Sequence, residues 1–78
     1  MTHTDDRYIC CIAASADEAA EVAQRVGKRI KYIDRAERLY GTDGFRRSVY
    51  VTQAAQLRPD IDRVTTEAML RGYNLIHI

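Results

Sequence analysis

Residues 7–14, Arg-Tyr-Ile-Cys-Cys-Ile-Ala-Ala, are a short apolar run led by β-formers. Such a run is too short for a helix of its own and suits a strand covered on both faces, the central strand of a sheet. Ser15 follows at once and forms a capping box with Glu18. Its hydroxyl accepts from the backbone N–H of residue 18 while the carboxylate reaches back, and Asp17 adds negative charge in the first turn, where the helix dipole favours it. The stripe Ala19, Val22, Ala23 and Val26 gives that helix its inner face, with Glu21 and Arg25 paired four apart on the wet side.

Gly27 divides two readings. As a weak helical residue, costing about 1 kcal/mol against Ala, it lets the stripe continue through Ile30, Ile33, Ala36 and Tyr40 until Gly41 caps it. As a C-terminal cap it makes residues 28–34 a second strand. Helical spacing is kept better than alternation, because Ile33 falls on the wrong side of a strand that turns Ile30 and Tyr32 inward. The sequence therefore predicts a long or Gly27-bent first helix. Gly41-Thr42-Asp43-Gly44 is a turn in both readings, and Phe45 to Gln53 alternates as a strand around Val49 and Val51. Pro59 suits the first position of a second helix with Ile61, Val64, Ala68 and Leu70 inward, Gly72 ends it, and Tyr73 to Ile78 forms a terminal strand.

The fold class expected is α+β, a small two-layer α/β sandwich in the order β-α-β-α-β. The alternative is a ferredoxin-like β-α-β-β-α-β order with residues 28–34 as a strand. At 78 residues the chain is one domain, with residues 1–6 a loose N-terminus. A domain of this size buries only roughly 60 to 65% of the surface of its unfolded chain, which favours binding or regulation over catalysis. The thin core and the edge-strand candidates at 46–52 and 73–78 predict a homo-oligomer, an isologous dimer in the simplest case. No apolar stretch is long enough to span a membrane, and a cytoplasmic location is expected.

Charge carries the functional signal. Between Arg25 and Arg47 stand eight cations, Arg25, Lys28, Arg29, Lys31, Arg35, Arg38, Arg46 and Arg47, against the three acids Asp34, Glu37 and Asp43, in a chain of net charge +1. Positive charge so segregated acts on an anionic partner within a Debye length of about 8 Å. The spacings Arg25/Arg29 and Lys31/Arg35 place like charges four apart, a repulsion of a few tenths of a kcal/mol on a helix. These eight residues are the candidate contacts. Tyr8 with Phe45 or Tyr50 offers a stacking platform for single-stranded bases, as on the open sheets of the RNA-recognition-motif family, although Arg46 and Arg47 after Gly44-Phe45 depart from that family's second signature.

Other motifs are weaker. Tyr40-Gly41-Thr42-Asp43-Gly44-Phe45-Arg46 resembles the Phe-Gly-Thr-Asp-Gly-hydrophobic-Arg segment of phosphohexomutases over seven of 78 residues. The several domains, phosphorylated-serine loop and magnesium-binding loop of that family have no counterpart here. The segment reads as a glycine-rich turn whose N–H groups, beside Arg46 and Arg47, suit a phosphate. Adjacent Cys10 and Cys11 point to opposite faces, one to the core and one half-exposed, which disfavours a bridge between them. His3 and His77 lack companions at ligand spacing, so neither a metal nor a cofactor is expected. No catalytic constellation is legible, and the chain is read as a non-enzyme. It is expected to be a small binding or regulatory protein that meets nucleic acid through residues 25–47. The alternative is a protein-interaction module or small inhibitor that meets an acidic protein surface.

Overall fold

The computed structural model describes residues 9–78 in full and the backbone of Tyr8; residues 1–7, which include the segment 1–6 expected to be loose, and the side chain of Tyr8 lie outside the described residues. The chain runs β1 (Tyr8–Ile12), α1 (Ala16–Val26), β2 (Arg29–Tyr32), a 3-10 turn (Ala36–Leu39), β3 (Ser48–Val51), a second 3-10 turn (Ala54–Leu57), α2 (Ile61–Leu70) and β4 (Asn74–His77). The small α/β domain with two helices is as expected. Its sheet differs: the four strands are all parallel, in the order β2-β1-β3-β4.

β1 occupies the centre, as its apolar run requires. Cys10, Cys11, Ile12 and Ala13 are all buried, so the expectation that one cysteine is half-exposed is corrected. Alternation turns the two thiols into different layers. Cys10 and Ile12 pack with Val49, Val51, Leu39, Val64 and Ala68, whereas Cys11 packs with Ala19 and Val22 of α1. Helix α1 thus covers one face, while α2 and both 3-10 turns cover the other. The two-layer expectation becomes three layers, because strand order reverses direction at β1 and right-handed crossovers then fall on opposite faces.

The long helix is overturned at Gly27. This residue sits in the left-handed region with φ 70°, and its N–H donates to Ala23 O at 3.0 Å, closing α1 after 11 residues. Residues 29–32 then pair with β1 in parallel, Ile9 opposite Ile30 and Cys11 opposite Tyr32. The objection from Ile33 dissolves because β2 ends at Tyr32: Ile33 donates its N–H to Cys11 O at 2.9 Å and turns into the opposite layer, fully buried. A strand here agrees with the ferredoxin-like alternative, but that topology is absent. Residues 33–47 cross the sheet instead of hairpinning, so β3 runs parallel to β1.

Smaller boundaries move for local reasons. Strand β3 begins at Ser48 rather than Phe45, since Gly44–Arg47 is a turn closed by the Arg47 N–H on Gly44 O at 2.8 Å, with Arg46 at φ 61°. β3 is internal, so 46–52 is not an edge; β2 and β4 are. Pro59 precedes α2 by two residues instead of opening it, and Leu70 is 77% exposed rather than inward.

Candidate functional site

Parallel sheets ordinarily hold ligands beyond the carboxyl ends of their strands, at the point where strand order reverses. Here that point lies between β1 and β3, where Glu18 and Thr52 are tied to each other and line a groove of about 320 Å³ with Arg25 and Ile78. The Glu18 carboxylate accepts at 2.7 Å from both the Ala14 N–H and the Thr52 hydroxyl, while Thr52 Oγ1 accepts from the Ala55 N–H at 3.1 Å. The capping box is therefore modified. Ser15 Oγ does accept from Glu18 N at 3.2 Å, but the carboxylate serves Ala14 and Thr52.

Beside it, Arg58 closes the ends of β1 and β2. Its side chain is 10% exposed, and the guanidinium donates to Ala13 O, Ile33 O and Asp34 O at 2.9–3.0 Å and forks onto Asp60 at 2.8 and 2.9 Å. Asp60 thereby spends its carboxylate on Arg58 and does not cap α2. The Arg58 guanidinium holds the Asp60 carboxyl below the usual carboxylate range. Sequence reasoning missed Arg58 and Thr52. Apart from the Arg58–Asp60 pair, nothing in their spacing reveals them, because the carbonyls and the carboxylate they reach lie 24 to 45 residues away.

The opposite end of the sheet is open and basic. Lys28, Arg46 and Arg47 line one depression of about 300 Å³ floored by Cys10 and Tyr73. Lys31, Arg38 and Arg47 line a neighbouring one of about 270 Å³ that shares Cys10 and Tyr73. Five of the eight candidate cations thus converge. The other three do not line either depression: Arg25 lines a separate groove beside α1, with Glu18 and Ile78, Arg29 opens edge strand β2, and Arg35 stands 3.7 Å from Asp34. Arg38 also donates to Asp34 at 2.8 Å, and that hydrogen bond holds the exposed Asp34 carboxyl low.

The loop carrying Arg46 and Arg47 is pinned from below. The Gly44 N–H donates to Arg71 O at 2.9 Å, and the Tyr73 hydroxyl donates to Thr42 Oγ1 at 3.0 Å. Gly44 lies so close on Tyr73 that a Cβ would stand 2.5 Å from the ring and from the Tyr73 backbone nitrogen. The glycine that gave residues 40–46 their motif-like look is there for this contact. Above it, Arg46 occupies a left-handed backbone position normally given to glycine, its guanidinium 5.2 Å from the centroid of Phe45, which is 69% exposed. Of the stacking candidates, Phe45 stands in this loop rather than on a strand, and Tyr50 is half-buried on the α1 face of β3.

Neither cysteine is poised as a nucleophile. Burial pushes the Cys11 thiol up to about 11, helped by the Glu18 charge, and burial raises Cys10 as well, so both are neutral at pH 7. Among the described residues no group of three His, Cys, Asp or Glu side chains could hold a metal ion, and no helix is long and apolar enough to cross a membrane. No protein-family model, curated protein or solved structure matches this chain.

Proposed function

We propose that the protein is a non-enzymatic binding module that grips the phosphates of a nucleic acid with the open basic end of its sheet. The observation that carries this reading is Arg46. A type II-like turn favours glycine where φ is positive, and a non-glycine residue there costs on the order of 1 kcal/mol. The chain accepts that cost at the one loop whose side chain joins Lys28 and Arg47 around a shared depression. Pinning by Gly44, Thr42 and Tyr73 supports the reading, since a loop fixed before binding loses less entropy on contact with its partner. Phe45, exposed beside Arg46, gives an unpaired base a surface to stack on.

A second reading, docking on an acidic protein surface, draws on the same loop. The Phe45 backbone lies against Gly72, just past α2, and the last turn of that helix carries the exposed Met69 and Leu70. Exposed apolar side chains of that kind suit a folded partner. Salt dependence separates the two. Binding to generic single- and double-stranded DNA and RNA should weaken linearly on a log–log salt plot, and each of Lys28→Gln and Arg46→Gln should lower the slope by about one unit. Arg35→Gln, which lies off the site, should leave it unchanged. Absence of binding to any polyanion at low salt, or an equal effect from Arg35→Gln, would overturn the proposal. Dominance of one or two residues against a protein partner would favour the second reading.

A further inference from the structure

Among the described residues the sheet has two open edges of unlike character. β2 carries Arg29 and Lys31, charges that would repel a second copy of the same edge and are the usual guard against strand pairing. β4, Asn74-Leu75-Ile76-His77, carries no carboxylate, lysine or arginine. On its inner side, Asn74 N–H donates to Arg47 O and Ile78 N–H to Val51 O, both at 2.9 Å. By alternation the N–H and C=O groups of Leu75 and His77 point away from β3 to the open edge.

We infer that β4 pairs antiparallel with β4 of a second copy across a two-fold axis at Ile76, joining two sheets into one of eight strands. The outward groups select this register. With Ile76 on the axis, Leu75 lies opposite His77 of the second copy and His77 opposite its Leu75, giving two hydrogen-bonded pairs and four bonds. A register centred on Leu75 would call on Tyr73, whose N–H is already given to Ala68 O. Faces match as well. A two-fold axis normal to the sheet keeps each face on its own side, so the half-buried Ile76, opposite Tyr50 in the β3–β4 register, meets its own copy on the α1 face. The row Tyr50, Ile76, Ile76, Tyr50 then runs unbroken across the junction. Leu75, which packs on the α2-side core, meets the exposed His77 on the opposite face. The two basic ends face opposite directions in this dimer, so each copy keeps a separate anion site.

Sedimentation and light scattering across 1–500 µM should show a monomer–dimer equilibrium, and a clean monomer throughout would overturn the inference. His77→Pro removes an outward N–H while leaving the bonds to β3 intact, and edge strands tolerate proline. It should weaken dimerisation about tenfold or more, from the loss of two backbone bonds. His77→Ala, which keeps the N–H, should remain dimeric. Equal weakening by both, or by neither, would refute a backbone-mediated junction. Independently of those variants, Ile76→Cys should give a covalent dimer on mild oxidation, because cross-strand Cβ atoms at a non-hydrogen-bonded pair lie about 5 Å apart. Gln53→Cys should not. A folded, dimeric Ile76→Cys protein that resists cross-linking would place the interface elsewhere.

Discussion

Replacing Arg58 by Leu tests whether the Arg58 network at the carboxyl ends of β1 and β2 holds the fold together. The substitution keeps much of the aliphatic stem and deletes the guanidinium. Three carbonyls, Ala13 O, Ile33 O and Asp34 O, lose their donor, and Asp60 loses its ion pair. Hydrogen bonds to a charged group contribute roughly 1.5–3 kcal/mol each, and water can re-solvate the more exposed Asp34 and Asp60 groups, so the net loss should be about 3–5 kcal/mol. A domain of this length holds only about 4–12 kcal/mol in total. The melting temperature should therefore fall on the order of 15–30 °C, at about 4–8 °C per kcal/mol for a domain of this size. Urea titration followed by far-UV circular dichroism gives the same quantity at 25 °C. Asp60→Asn should cost only about 1 kcal/mol, because the three carbonyl contacts survive. A loss below 1 kcal/mol for Arg58→Leu would mean that the carbonyls are served by water, and the reasoning would fail.

Thr52→Val leaves the buried Ala55 N–H without its acceptor and should lower stability by about 1–3 kcal/mol in chemical denaturation. Gly44→Ala drives a methyl into the Tyr73 ring and backbone and should destabilise by about 1–3 kcal/mol, with the larger value expected because the backbone nitrogen cannot swing away. Arg46→Gly should do the reverse, raising stability by about 1 kcal/mol while weakening polyanion binding; parallel loss of both would refute the left-handed strain argument. On acidification, the stability owed to Asp60 is fully present above the unfolded carboxyl value near 4 and is lost as pH falls through the lowered folded value. Asp60→Asn should flatten that part of the acid limb, measured as melting temperature against pH.

Much of the scaffold was legible because it is written in short-range chemistry. The apolar run at 8–14, the Ser15 cap and the Val64/Ala68 face each depend on neighbours within a turn or a strand. Gly27 was misread because helix and strand periodicities both fit residues 28–36, and the deciding fact, that β2 stops at Tyr32 and releases Ile33 into the other layer, is tertiary. Strand direction was hidden for a related reason. Nothing in residues 33–47 marks them as a crossover, since their 3-10 turn is held by burial of Ala36 and Leu39 rather than by a cap. For the candidate site, the sequence located the cations but not their grouping. It could not show that Lys28, Lys31, Arg38, Arg46 and Arg47 gather at one end of the sheet while Arg25, Arg29 and Arg35 stand elsewhere. Arg58 and Glu18 were illegible in their main roles because each acts on atoms distant in the chain.

The central position of β1 also shapes how the chain must fold. Neither of its neighbours is adjacent in sequence: β2 arrives after a whole helix, and β3 only after a second crossing. No hairpin can nucleate this sheet, and loop closure over tens of residues must precede the first long-range pairing. Refolding should be slow for so short a chain. During synthesis the Tyr8–Ile12 segment leaves the ribosome well before its partners exist, so for that interval the most apolar strand in the protein depends on α1 alone for shelter.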